Sequence, residues 1–305
     1  MTYSIVARDP MTGQFGVAVQ THQVAVGRIV SWAEPGYGAL ATQSLSNPAF
    51  GPLGMAMLRQ GMEAEQVLAA LVAGDPGQAR RQVALVDRKG NAAAHTGEGC
   101  IAHAGHYVGA GYSVQANMMT RPTVISAMRH AYENSLGNLA ERMVAALRAA
   151  QAEDGDIRGQ QSAALLVVSS DSEAPTWKTD YDLRVDEHPR PVEELARLVM
   201  IRHAQRIDAE GFALLDEGKL SEALAKWAEA RKLAPDQEEL PFWQAVALAD
   251  GYPDQVTQAA AIFRAGLDGH ERRAYWLELV DRLAACGLIE RPQAAAELKQ
   301  ALEQS

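Results

Sequence analysis

Cysteines and long apolar runs are both scarce in this 305-residue sequence. Its two cysteines, Cys100 and Cys286, lie far apart and fit neither the CxxC spacing of a zinc site nor a disulfide framework. No stretch approaches the ~18 uncharged apolar residues that a membrane-spanning helix needs. The first residues, MTYSIVARDP, lack the basic and apolar segments of an export signal. We therefore expect a reduced, cytoplasmic protein.

Basic residues are also in the minority, because 28 lysines and arginines stand against 38 aspartates and glutamates, a formal net charge of −10. A nucleic-acid partner needs a clustered basic face, so this balance argues against one. The sequence has no GxSxG, Walker or GxGxxG pattern, and we expect no organic cofactor. Its histidine spacings do not match the HExxH zinc motif, so we expect no metal.

The composition changes near residue 190. Residues 1–190 carry 15 basic and 18 acidic side chains, whereas residues 191–305 carry 13 and 20 and are rich in alanine, leucine, glutamate and glutamine. Between them, Pro189 and Pro191 would stop a strand and allow a helix to begin. The sequence therefore predicts two domains, 1–190 and 191–305.

The first domain reads as α+β, with sheet and helices in separate layers. Helical periodicity covers 52–59, 63–73 and one long stretch, 122–152. Short Val/Ala-rich runs bounded by turn residues predict strands. These runs are 4–8, 15–19, 38–42, 82–87, 92–95, 112–116 and 163–168.

The second domain reads as all-α and contains a degenerate repeat. Small and large residues recur at the spacing of a tetratricopeptide unit, a ~34-residue helix pair. A shift of 36 residues pairs Ile207 with Trp243 and Trp227 with Phe263. These aromatics indicate core packing rather than a binding box. The tail (200–305) either recruits a protein partner, helps the chain dimerise, or only buries apolar surface.

The chemistry of Thr2 depends on removal of Met1. A free N-terminal threonine joins a hydroxyl to an α-amine of intrinsic pKa ~7.7–8.0, so one residue supplies both nucleophile and general base. The plainer alternative is a β-branched residue that fills a place on the first strand.

Further polar residues cluster where predicted strands end. Thr42 and Gln43 lie at the end of one strand, Gln115 and Asn117 lie at the end of another, and a polar loop precedes the strand that begins at Ala163. In that loop Arg158 is suited to pair with a carboxylate and Asp156 to bind a cation or an amine. The alternative is a surface loop whose Asp and Gly residues only make turns. The remaining candidates are His22, His95 and Ser162.

Several motifs together resemble the family called domain of unknown function 1028. They are TYSIVARD (2–9), ATQS (41–44), RQV (81–83), AHTG (94–97), VQAN (114–117), GDIRGQQSA (155–163) and DLRVDEHP (182–189). The resemblance implies an αββα sandwich like that of N-terminal-nucleophile hydrolases, with a helical C-terminal extension. It also implies that the first residue of the mature chain, here Thr2, attacks an amide carbonyl. The lysine near the nucleophile of proteasome-type relatives has no counterpart, because only Lys89 and Lys178 precede residue 190.

Two functional hypotheses follow. In the first, the protein is an amidohydrolase that acts on a small amide or ureido compound through Thr2. His22, Gln115 and Asn117 would assist catalysis; Thr42, Gln43, His95, Asp156, Arg158 and Ser162 would hold the substrate. In the second, the sandwich has lost its chemistry and the protein is a binding or scaffold protein. In either case we expect a homo-oligomer.

Overall fold

The computed structural model describes residues 2–304, and it divides into two compact units, Met1–Val199 and Met200–Ser305. The composition change predicts a domain boundary after residue 190. A 26-residue helix, Pro191–Asp216, begins directly after that position, and its residues up to Val199 belong to the first unit.

Within residues 2–304 the strands form two antiparallel sheets. In chain order they are β1 (Thr2–Arg8), β2 (Phe15–Thr21), β3 (Ser31–Glu34), β4 (Gly38–Ser44), β5 (Arg81–Asp87), β6 (Ala92–Thr96), β7 (Gly105–Gly109), β8 (Tyr112–Asn117), β9 (Ser162–Val168) and β10 (Tyr181–Val185). The larger sheet has the order β10-β9-β2-β1-β8-β7, and the smaller has the order β3-β4-β5-β6.

Helices cover the outer faces of the two sheets. They are α1 (Phe50–Arg59), α2 (Ala64–Ala73), α3 (Val124–Asn134), α4 (Leu139–Ala152) and α5 (Pro191–Asp216). The helices α3 and α4 and the start of α5 pack on the larger sheet, whereas α1 and α2 pack on the smaller. The unit is therefore layered helix, sheet, sheet, helix.

Side-chain alternation decides which residues lie between the sheets. Val6 and Val17 of the larger sheet pack with Ala41 and Val86 of the smaller one. Their neighbour Ile5 points the other way, into the core under α3 and α4. Both faces of the central strands are thus buried, which explains why their sequences are continuous apolar runs.

The seven predicted strands are confirmed, but the single long helix predicted over 122–152 is wrong. The chain forms α3 and α4 there, separated by residues 135–138. Gly137 adopts φ +105°, which favours glycine, and Asn138 then caps α4. The Asn138 side chain accepts from Glu141 N at 3.1 Å, and Glu141 accepts from Asn138 N at 2.8 Å. This capping box begins a new helix.

The second unit is helical. After α5 come α6 (Leu220–Leu233), α7 (Glu239–Gly251), α8 (Val256–Leu267), α9 (Arg273–Ala285) and α10 (Ala294–Glu303). Its core contains Trp227, Phe242 and Phe263, all fully buried. Trp243, in contrast, is 38% exposed. Across residues 2–304, no helix is both long enough and apolar enough to cross a membrane.

The seating of α1 on the smaller sheet gives a testable prediction. A Cβ at Gly51 would lie 2.1 Å from Cδ2 of Trp32, so Gly51→Ala should lower the free energy of unfolding by about 1–3 kcal/mol. Gly74→Ala is the control, since the nearest atom to its Cβ is 3.6 Å away. Urea denaturation measures both variants, and equal stability of the two would contradict this packing.

Candidate functional site

Thr2 lies at the end of β1 in the space between the sheets. Its neighbours across the larger sheet are Thr21 on β2 and Asn117 on β8. Because Thr2 has the same strand parity as Val6, its side chain points toward the smaller sheet. The Thr2 hydroxyl donates to Thr21 Oγ1 at 3.1 Å, and only 4% of Thr2 is exposed. Met1 lies outside the described residues.

Two side-chain amides hold the main chain of Thr2. Gln43 Nε2 donates to the Thr2 carbonyl oxygen at 3.1 Å, and Asn117 Nδ2 donates to it at 3.4 Å. Each amide also donates to Oε1 of Gln82, at 2.8 Å in both cases. Gln82 is on β5 and fully buried. One glutamine of the smaller sheet therefore ties together the groups that position Thr2.

Gln82 is itself fixed by its own amide nitrogen. Its Nε2 lies 2.9 Å from three oxygens, those of the Thr96 hydroxyl and of the Gly105 and Ala116 carbonyls. A buried amide without such partners would be strongly destabilising. Sequence reasoning did not select Gln82 or Thr21 as site residues. The available signal for Gln82 was its place in the RQV motif (81–83), directly before the apolar run of β5.

Gln115 lies two residues before Asn117 on β8, so its side chain points to the same side of the sheet. Its Nε2 donates to Ser4 Oγ at 3.2 Å and to the Ala41 carbonyl oxygen at 3.3 Å, and Ser4 Oγ donates to Gln43 Oε1 at 2.7 Å. The N–H groups of Gln115 and Asn117 are thus already committed to protein acceptors. The side-chain amide oxygens of Gln115 and Asn117, Oε1 and Oδ1, are buried without a hydrogen-bond partner among the described residues.

A narrow cleft opens beside Thr2. Its volume of about 20 Å³ is enough for a single water molecule. One wall carries Ser44, whose backbone is in the left-handed region with φ +69°. The lining residues are Thr2, Thr21, Gln23, Val26, Ile29, Val30, Gln43, Ser44 and Ser46. Thr2 is therefore neither sealed in the core nor exposed to bulk solvent.

Ser162 shapes another part of this cleft. It is next to Thr21 across β2 and β9. The Ser162 hydroxyl donates to the Gln23 carbonyl oxygen at 2.5 Å and accepts from the Val26 N–H at 3.2 Å. Its hydroxyl therefore anchors the turn that follows β2, rather than pointing freely into the cleft.

Asp156, Arg158 and His22 form a separate group. The Asp156 carboxylate accepts from Arg158 Nη2 at 2.8 Å and from the His22 main-chain N–H at 3.3 Å. Burial, followed by the charge of Asp156, raises the pKa of Tyr3 well above its usual value. The Tyr3 side chain packs on the helix-covered face of the larger sheet. None of these three residues lines the cleft beside Thr2.

Thr42 and His95 are also directed away from Thr2. Thr42 is out of phase with Ala41 and Gln43, and its hydroxyl donates to the Asn47 carbonyl oxygen at 3.4 Å. His95 Nε2 lies 3.0 Å from the Gln78 carbonyl oxygen. His95 is paired in register with Val83, which belongs to the core under α1 and α2. Of the predicted residues, the structure gathers Thr2, Gln43, Gln115, Asn117 and Ser162.

No group of three or more His, Cys, Asp or Glu residues in 2–304 is arranged to hold a metal ion.

The hydrogen-bond network around Gln82 extends to a histidine on the edge strand β7. The Thr96 hydroxyl, which accepts from Gln82, is 2.8 Å from Nδ1 of His106. Burial, followed by the nearby His95, holds the pKa of His106 below its usual 6.5.

The central role of Gln82 predicts a large loss of stability on its replacement. Gln82→Met should lower the free energy of unfolding by about 3 kcal/mol or more, because buried N–H groups of Gln43 and Asn117 lose their acceptor. Gln60→Met, at the exposed end of α1, should change it by less than about 0.5 kcal/mol. Chemical denaturation at neutral pH compares them, and similar losses would contradict the assigned network.

His106 predicts a pH dependence. Because its pKa is lowered in the folded state, its contribution to stability is present above the unfolded value of 6.5 and is lost as the pH falls through the folded value. The midpoint of urea unfolding should therefore depend less on pH between 5 and 7 in His106→Gln than in the wild type. An identical pH dependence of the two proteins would contradict the prediction.

Comparison with known proteins identifies the family. The family model described as a family of unknown function, DUF1028, matches residues 2–195. The crystal structure of protein SPO2555 from Silicibacter pomeroyi, matched by the same family model, is 34% identical with a TM-score of 0.59, covering 65% of this chain and 84% of that one. Anbu (ancestral beta-subunit) from Yersinia bercovieri is 12% identical with a TM-score of 0.34, over 64% and 92% of the two chains. No curated protein matches the sequence. The chain belongs to the DUF1028 family.

Proposed function

We propose that this protein is an amidohydrolase of the N-terminal-nucleophile type, cleaving a C–N bond of a small amide or ureido compound through Thr2. The observation that carries the proposal is the setting of Thr2. Thr2 lines the cleft between the sheets with its hydroxyl bonded to that of Thr21, and the amides of Gln43 and Asn117 hold its carbonyl oxygen. The layering helix, sheet, sheet, helix is consistent with this class of hydrolase.

The reaction requires that the residue preceding Thr2 be removed. The freed α-amine accepts the Thr2 hydroxyl proton, and Oγ1 attacks the substrate carbonyl carbon. The C–N bond then breaks, the amine passes its proton to the leaving nitrogen, and the acyl group remains on Thr2 as an ester. Water hydrolyses this ester, which releases a carboxylic acid and restores the hydroxyl. No lysine is needed in this scheme.

The gathered residues receive distinct roles in the proposal. Gln43 and Asn117 are positioning residues, because their N–H groups are spent on Thr2 and Gln82. Gln115 is a further positioning residue, because it donates to Ser4 Oγ and to the Ala41 carbonyl oxygen beside them. Donors for the developing oxyanion therefore have to come from main-chain N–H groups of the cleft rather than from these amides.

The other predicted site residues either support the chain that borders the cleft or have no role in the proposed reaction. Ser162 and Asp156 both hold the chain that follows β2, the former through Gln23 and Val26 and the latter through the His22 N–H. Arg158 neutralises Asp156. We assign no direct role to Thr42 or His95, because both side chains leave the cleft.

For the second unit we propose tetratricopeptide-like packing that serves contacts with a second copy or a protein partner. Small residues lie beside large ones, as that repeat requires. A Cβ at Gly211 would be 2.4 Å from Cδ1 of Trp227, and one at Gly266 would be 2.2 Å from Cγ of Pro241. We place the reaction in the cytoplasm. Sedimentation of the intact chain at several concentrations tests self-association.

A substrate screen tests the proposed chemistry. Purified protein is incubated with small amides, ureas and dipeptides, and released amine and acid are measured by mass spectrometry. Thr2→Ala should lower turnover at least about a thousandfold, because the nucleophile is lost. Thr2→Ser keeps a hydroxyl and should retain measurable activity.

Thr12→Ala is the matched control, since Thr12 lies in the turn at the far end of β1 and should leave turnover within about twofold. The intact mass of each variant shows whether Thr2 is the first residue. Undiminished turnover by Thr2→Ala would contradict the proposal. So would a chain that retains Met1 and converts none of the compounds, a result that favours the binding-protein alternative.

A further inference from the structure

The larger sheet extends beyond the smaller one on one side. On this side the edge strand of the smaller sheet is β3, and it lies against β2 and β9. On the same side the edge strand of the larger sheet is β10. It pairs with β9 and makes no comparable contact with the smaller sheet among residues 2–304. The register places Asp182 opposite Leu166 and Arg184 opposite Ala164. These residues therefore face the side on which the second sheet is missing.

This uncovered surface forms an open cavity of about 220 Å³, which we call the ledge. It is lined by Gly27, Arg28, Ser31, Ala164, Leu165, Leu166, Asp182 and Arg184. Its floor is apolar, because Ala164 and Leu166 belong to the core between the sheets. Its rim carries two guanidinium groups, in a chain whose formal net charge is −10.

The two arginines are available for an anion. Arg28 is exposed, and its guanidinium makes no hydrogen bond or ion pair with any residue in 2–304; only its main-chain N–H is bonded, to the Ala25 carbonyl oxygen. Arg184 has only a loose pairing, with Nε 3.7 Å from Asp182 Oδ1 and both side chains about half exposed. Guanidinium groups bind carboxylates and phosphates through parallel N–H donors.

Local packing holds Arg184 across the ledge. A Cβ at Gly27 would lie 2.6 Å from the Ala164 Cβ and 2.9 Å from the Arg184 Cδ. Only a glycine leaves room for the aliphatic part of Arg184 at this point. The aliphatic part of Arg184 therefore lies against the main chain of Gly27, beside the ledge.

A third polar group on the ledge lacks a partner. The Oγ atom of Ser31 is buried and has no hydrogen-bond partner among the described residues. Buried hydroxyl groups are normally satisfied, so a group of this kind calls for a ligand or a water molecule. Ser31 lies at the start of β3, next to the opening left by the narrower sheet.

We propose that the ledge binds a small monocarboxylate with a short aliphatic part. Arg28 and Arg184 hold the carboxylate, the Ser31 hydroxyl donates to it after the side chain rotates about its Cα–Cβ bond, and Ala164 and Leu166 contact the aliphatic carbons. Asp182 disfavours a second negative charge, so a monoanion binds better than inorganic phosphate. The site is separate from Thr2 and does not depend on the proposed reaction.

Isothermal titration of the full chain at constant ionic strength tests this site. Sodium butyrate should bind saturably, and inorganic phosphate should bind at least threefold more weakly. Arg28→Gln and Arg184→Gln should each weaken butyrate binding about tenfold. Arg80→Gln is the matched control, because Arg80 is also exposed and also ends a short 3-10 helix; it should stay within twofold of the wild type.

A substitution with the opposite sign separates binding from damage to the fold. Asp182→Asn removes the competing carboxylate and should tighten butyrate binding, an effect that partial unfolding does not produce. Circular dichroism checks that every variant is folded. The proposal is overturned if the wild type shows no saturable butyrate binding, if phosphate binds more tightly than butyrate, or if the Arg28 and Arg184 variants bind like the wild type.

Discussion

The hydrogen bonding of buried amide groups between the sheets is the constraint on which the site depends. An amide placed in an apolar core is costly unless each of its polar groups finds a partner. Gln82 meets this requirement by accepting from Gln43 and Asn117 and by placing the two N–H groups of its Nε2 among oxygens of three other strands. The same bonds fix the main chain of Thr2. Stability of the sandwich and placement of the candidate nucleophile therefore have one physical origin.

The difference in width between the sheets produces the second feature of this unit. Four strands do not cover six, so one edge of the larger sheet is left without a second layer. Residues 26–31 run between the two sites. Val26, Ile29 and Val30 line the Thr2 cleft, whereas Gly27, Arg28 and Ser31 line the ledge. The family match ends at residue 195, so both features belong to the region shared with DUF1028 proteins.

The structure differs from the sequence-based expectations mainly at edges and breaks. The strands β3, β7 and β10 were not predicted, and all three are edge strands, which are half exposed and lack a continuous apolar run. The break between α3 and α4 was missed because helical periodicity is strong on both sides of it. Gly137, with its positive φ, and the capping box of Asn138 and Glu141 mark where one helix ends and the next begins.

The sequence by itself determined the α+β class, the helical tail and the family, because apolar periodicity and separated motifs are local properties of the chain. It also indicated that polar residues collect at strand ends. Which of them meet was decided by the tertiary structure, since a strand sends alternate residues to opposite faces and pairing register lies outside local sequence. That rule brings Gln43 to Thr2 and turns its neighbour Thr42 away, and it places Gln82 at the centre.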